Sequence, residues 1–296
     1  MRDGPAFLLT LPLLAACQAS APPDDFRLLI SDVEAGTLSV FEPDGGLQAL
    51  LGPEGLPADL VSEGFRPAGM ALVEGRLLLT DTQSGRVLAV DPQDGRFLGL
   101  VFDPGAGADL EEPCALAATG DRLAVLGNDT RNVLLLSEDG AVAELGGDSP
   151  PEIRGGHGLA SLPDGRLVVA TSPNFPDEGL LQVWDPQSGE RLETWLPPGE
   201  LLDATGVSLG PDGLLYVVDW TGAQVLRVDP ADGHLVDRVL GPEDLEDPVA
   251  SAFDPQGRLW VLERRGLVRW SPLTGAERVL DDAFAFGRGL VVHLGG

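Results

Sequence analysis

The sequence predicts an all-β chain, a six-bladed β-propeller over residues 26–296 whose ring is closed by a C-terminal strand at about 289–294. Three observations predict it. The 21-residue stretch GRLLLTDTQSGRVLAVDPQDG, Gly75–Gly95, returns as GLLYVVDWTGAQVLRVDPADG, Gly213–Gly233. Its apolar run begins six times, at Arg27, Arg76, Arg122, Arg166, Leu214 and Arg258, with spacings of 49, 46, 44, 48 and 44 residues. That is the period of a four-stranded propeller blade. Finally, the first unit lacks an opening strand, and the chain ends with one strand too many.

Composition bounds the partners. The chain has 296 residues and a formal charge of −28, and all 19 of its basic residues are Arg. Phosphate binding needs clustered positive charge, so nucleic acid is excluded as a partner. The absence of lysine excludes lysine-based covalent chemistry.

Residues 1–16 read as a signal peptide. Phe7–Ala16, FLLTLPLLAA, is half the ~20 apolar residues needed to span a bilayer. It leads into Leu14-Ala15-Ala16-Cys17, which resembles the bacterial lipobox. The resemblance implies lipidation at Cys17, with the lipid as the only membrane anchor. An exported, periplasmic or outer-membrane lipoprotein follows, and Gln18 after the cysteine favours outer-membrane sorting. Residues 17–25 read as a flexible Pro- and Ala-rich tether. Cys114 then has no partner and is expected to be a buried thiol.

Each later unit reads as four short strands. In the fourth, these are Gly158–Leu162, Leu167–Ala170, Leu181–Trp184 and Leu192–Trp195, with turns at PDG and DPQSG. Proline presets φ and glycine accepts positive φ, so these are turns with a mechanism. The first unit holds only Leu28–Ile30, Leu38–Phe41 and Leu47–Leu51. The leftover Gly289–Leu294 is expected to supply its missing innermost strand, so that closure removes exposed sheet edges that invite aggregation. A monomer is expected.

The links between units repeat too, as Pro57–Glu63, Gly107–Glu112, Gly199–Asp203 and Pro242–Asp247. Each reads as one helical turn with its leucine tucked against a blade. Asp32, Asp81, Asp129, Asp219 and Glu263 follow the second strands and belong on the same face. This predicts an acidic channel mouth, attractive to cations. Asp81, Asp219 and Glu263 are candidate Ca²⁺ ligands, weighed against a solvated rim.

Arg66-Pro-Ala-Gly-Met-Ala-Leu through Gly-Arg-Leu-Leu-Leu-Thr-Asp81 and Arg86-Val87 resembles the NHL-repeat propellers. The resemblance covers the chain from about residue 26 and implies architecture rather than activity. The gluconolactonase-type propellers, which it resembles distantly, hold a metal with Glu, Asn and Asp before inner-strand glycines. The matching positions are Ala68, Pro113, His157, Thr205, Val249 and Arg288, none of them acidic or Asn. The amidating-lyase propellers use three histidines, but His157, His234 and His293 fall on different parts of the ring.

His157, in Arg154-Gly-Gly-His157-Gly158, is the candidate for channel chemistry, as a general base or as a structural histidine. It resembles the virginiamycin-lyase histidine loosely. Arg154, His157, Asn174, Phe175, Asp219, Trp220 and Arg288 are the candidate ligand-binding residues. Trp184, Trp195, Trp260 and Trp270 read as packing. The expected function is recognition of an envelope protein, glycan or small ligand. The alternative is a metal-assisted lyase or hydrolase around His157.

Overall fold

The second strand of each unit explains the ring. Runs such as Arg76–Asp81, RLLLTD, are apolar at consecutive positions and buried on both faces. A sheet wet on one face would alternate polar and apolar residues, so these strands must be covered from both sides. Leu77 and Leu79 pack into one apolar cluster with Leu29 and Leu38 of the first unit. Leu78 points the other way, into a cluster with Val125 and Leu134 of the third. Side-chain alternation thus hands odd and even residues to different neighbours.

The structure is a computed structural model describing residues 25–294, apart from 44–45, 105–107, 138–139, 141, 147–152 and 174–177. It contains six antiparallel four-stranded sheets, which are the blades of a propeller. Six apolar clusters fill the interfaces between successive blades, including the sixth with the first. Trp260 is wholly buried at that last interface, with Phe26 and Phe41 at ring-centroid distances of 6.1 and 6.0 Å. Trp184 and Trp195 are buried likewise, as their strand positions lead one to expect.

Closure occurs where the sequence places it, over a slightly longer strand. Gly287–Leu294 pairs antiparallel with Phe26–Asp32, in register Leu28↔Val292 and Ile30↔Leu290. It is the innermost strand of the first blade. In the fourth blade the strands are Gly156–Ser161, Leu167–Thr171, Leu180–Trp184 and Arg191–Trp195, each within two residues of expectation.

The linking segments match expectation in part. Their leucines, Leu60, Leu110, Leu201 and Leu245, are buried. The backbone makes single turns of two kinds: Leu60 N–H donates to Pro57 O at 2.9 Å, a tight turn, whereas Leu245 N–H donates to Gly241 O at 3.1 Å, one helical turn as expected. The 3₁₀ turn in the first link lies upstream, at Pro53–Gly55. Proline and glycine density there favours single turns over the longer run a helix needs.

Candidate functional site

All six innermost strands carry a β-bulge at the same place, near the start of the strand. The bulged residue falls between two ladder pairs and its side chain is re-aimed. The six bulged residues are Ala68, Cys114, His157, Thr205, Val249 and Arg288. The residue after each is Gly or Ala, because neighbouring inner strands nearly touch there. A Cβ on Gly69 would lie 2.6 Å from the Cys114 oxygen, and one on Gly289 would lie 2.2 Å from the Ala68 oxygen. The third-blade position that corresponds to Ala68 is therefore Cys114, not Pro113. Pro113 pairs in the ladder with Gly127, and the sequence carries no sign of the one-residue bulge.

These residues line the narrow axial channel, and above it opens a cavity of about 750 Å³. His157, Arg288, Cys114, Arg66, Trp220 and Phe286 contribute to its wall. At its floor an Arg288 Nη nitrogen lies 2.8 Å from His157 Nδ1. The two residues are 131 positions apart in sequence. Guanidinium only donates, so Nδ1 accepts and the proton of the neutral ring sits on Nε2. Burial, and then the charge of Arg288, lowers the His157 pKa to about 3. The imidazole is therefore neutral at physiological pH. Cys114 lies beside this pair. Burial raises its pKa to about 12, and its Sγ faces the Gly156 oxygen at 3.2 Å. It is a protonated, unreactive thiol.

Trp220 projects from the turn after the second strand of the fifth blade. Its Nε1 donates to Asp247 Oδ1 at 3.0 Å, and its ring meets Phe286 edge-on, centroids 5.8 Å apart. The Arg264 guanidinium lies 4.8 Å from the Phe286 ring centre, a cation–π contact. Arg154 is exposed on the link into the fourth blade. Asn174, Phe175 and Cys17 lie outside the described residues.

The carboxylates after the second strands do something other than expected. Asp81 and Asp219 are buried, as are Asp32 and Glu263. Asp81 Oδ1 accepts from the backbone N–H groups of Arg66 and Gln83, at 2.9 and 3.2 Å. Asp219 Oδ1 accepts from Asp203 and Gly222, and its Oδ2 from Leu202. Asp32 accepts from Ala285 and Phe286. Glu263 accepts from Glu246 N–H and is paired with Arg278. Each carboxylate clamps the incoming link onto the end of its own blade. The candidate Ca²⁺ set of Asp81, Asp219 and Glu263 is thereby corrected: the three stand in separate blades and are occupied by N–H donors.

The mouth is accordingly not acidic throughout. Glu111, Glu112 and Asp129 form an acidic wall on the third blade, while the floor carries Arg288. Asp203 is a further buried carboxylate, held by Ser172 Oγ at 2.7 Å. Desolvation raises its pKa. The histidines do not converge. His234 sits on an outer turn beside Asp232, and His293 is near the end of the closing strand. Among the described residues, one cluster has three metal-capable side chains within reach of each other, Asp229, Asp232 and His234. It lies on the face away from the mouth.

Arg66, Asp203, Arg264 and Phe286 escape the sequence reading as site residues. A signal for three of them exists. Arg66, Asp203 and Phe286 each stand one residue before an innermost strand, at the lip of the mouth.

No family model and no curated protein matches the chain. Solved structures do. A chain of the nidogen/laminin complex matches at TM-score 0.71 and 15% identity, covering 91% of this chain and 98% of that one. A streptogramin B lyase matches at TM-score 0.56 and 16% identity, covering 86% and 73%. A catalytically inactive virginiamycin B lyase from Staphylococcus aureus with quinupristin matches at 0.59 and 12% identity, covering 89% and 78%. At such identities the likeness is one of fold.

The Arg288–His157 contact has a titration consequence. The folded chain binds the His157 proton more weakly than the unfolded chain. Its stabilising contribution is therefore complete above the ordinary histidine pKa of ~6.5 and is lost as the pH falls toward 3. Arg288→Met removes the charge but not the burial. NMR titration of the imidazole should show its pKa raised yet still below the ordinary value; an unchanged pKa would contradict the contact.

Proposed function

We propose that this chain is an exported, lipid-anchored propeller whose channel mouth recognises a ligand rather than transforming one. The observation that carries this reading is the commitment of His157. Its Nδ1 lone pair accepts from Arg288, and its Nε2 carries the remaining ring proton. A general base needs a free lone pair and a pKa near the working pH, and a ring with a pKa of about 3 has neither. His157 is instead a fixed strut that aims a guanidinium.

The rest of the mouth has the make-up of a recognition site. The cavity of about 750 Å³ falls within the ~300–1,000 Å³ of small-molecule pockets. Trp220 and Phe286 offer aromatic surface beside polar groups, the pairing that concentrates binding energy at interfaces. An envelope protein, a glycan or a small ligand can present complementary chemistry. The fold alone supports both roles, since one structural neighbour belongs to a protein–protein complex and another is a lyase.

The export half of the proposal rests on Leu14-Ala15-Ala16-Cys17 after a ten-residue apolar run. Among the described residues, no helix is long and apolar enough to cross a membrane, and attachment through acyl chains on Cys17 does not require one.

The test of the recognition reading is a thermal-shift screen followed by recovery of each ligand. Ligands should raise the melting temperature of the wild type, lose that effect in Trp220→Ala, and be recovered chemically intact. Turnover that disappears in His157→Ala would overturn recognition in favour of the lyase or hydrolase. For the anchor, full-length protein expressed in a bacterial host should partition into detergent, and Cys17→Ala should move it to the aqueous phase. Retention of Cys17→Ala in detergent would contradict lipidation.

A further inference from the structure

Arg288 stands apart from the ion pairs of this molecule. Most partly buried arginines elsewhere meet a carboxylate; Arg122, on the opposite face, instead donates to the Pro186 backbone oxygen at 2.9 Å. Arg227 binds Asp237 through Nε at 2.7 Å and through an Nη nitrogen. Arg258 Nε donates to Asp254 at 2.6 Å. Arg278 is paired with Glu263 and Arg86 with Asp103. The reason is general, since a charge leaving water costs several kcal/mol unless a partner replaces the water. In a chain of −28, acidic partners are plentiful. Yet Arg288, at the floor of the mouth, has no carboxylate within ion-pair distance among the described residues. The groups that meet it, a neutral imidazole nitrogen and the protonated Cys114 thiol, are both uncharged. The nearby acid that feels its charge, Asp203, is buried and held by Ser172.

We propose that the channel mouth binds a carboxylate, received by the Arg288 guanidinium. This rests on the recognition reading and names its ligand class. The planar fork of guanidinium matches the two oxygens of a carboxylate and can bind both at once. His157 holds one Nη nitrogen, which fixes the fork without neutralising it. Trp220 and Phe286, edge to face at 5.8 Å, form a wall of the same cavity and suit an apolar or aromatic group beside the anion. Glu111, Glu112 and Asp129 stand on another wall. They disfavour a phosphate dianion and leave a singly charged acid as the better fit.

The test uses matched probes on the folded protein. N-acetyl-phenylalanine carries a carboxylate beside an aromatic ring, and N-acetyl-phenylalaninamide differs only in lacking the charge. Calorimetry should show the acid binding at least about tenfold more tightly than the amide, as expected for charge-assisted over neutral hydrogen bonds. Arg288→Gln should abolish that preference. Arg288→Lys, which keeps the charge and loses the fork, should keep a reduced preference. Arg76→Gln, on the opposite face, should change nothing. An N-acetylated tripeptide ending in phenylalanine separates the two sources of a carboxylate: tighter binding indicates a peptide chain end, weaker binding a free small acid. Equal binding of acid and amide, absence of binding by the acid at 10 mM, or an acid preference that survives Arg288→Gln would overturn the proposal. The chemical fate of the probe reports separately on recognition. Acid-selective binding followed by cleavage would sink that reading while leaving the carboxylate assignment standing.

Discussion

The ladder between Gly287–Leu294 and Phe26–Asp32 is the constraint on which everything else in this molecule depends. It joins the two ends of the described chain, and the contacts around it span most of the sequence. Asp32 Oδ2 accepts from Ala285 N–H across 253 residues, and Ser31 Oγ accepts from Gly289 N–H across 258. Loop-closure entropy grows only logarithmically with length, so bringing the ends together costs little more than a much shorter closure. In return, two unpaired sheet edges vanish and the sixth interface is filled, with Trp260, Phe26 and Leu290 in one buried cluster. The same ladder positions the candidate site, because Arg288 rides on the bulge of the closing strand. An open ring would leave the mouth without its floor.

Repetition explains how a site arises on such a frame. Six equivalent bulges present six side chains to the axis, and the small residue after each lets the strands converge. Four slots are filled by Ala68, Cys114, Thr205 and Val249, which are small or medium-sized, and two by His157 and Arg288. Those two reach each other across the channel. The outer lip repeats as well, with a backbone hydrogen bond tying each link to the turn after the second strand. Trp220 N–H to Asp203 O and Arg264 N–H to Asp247 O are two examples, each 2.9 Å. Architecture is held by backbone and buried carboxylates, so the lip side chains are free to vary.

Much of the fold was legible because its signals are local and periodic. Blade spacing, Pro- and Gly-marked turns and the surplus final strand led directly to the ring, and the linking leucines are buried as expected. The site was less legible for three physical reasons. A bulge inserts one residue without changing composition, so Pro113 stood in for Cys114. Spacing assigns a carboxylate to a face but says nothing of the N–H groups converging on it. Asp81, Asp219 and Glu263 therefore read as ligands when they are clamps. His157 and Arg288 were each picked out singly, yet their contact depends on ring closure and on opposing slots, which no local pattern encodes. The recognition proposed for the mouth thus rests on a pairing that exists only in the closed structure.

Native-state amide hydrogen exchange tests closure most directly, since opening the ring exposes the closing ladder first. The amides of Leu29 and Val291, paired across that ladder, should exchange within about tenfold of Leu78 and Ala89, paired inside the second blade. Exchange at Leu29 and Val291 as fast as in a surface turn, with Leu78 and Ala89 still protected, would contradict the account.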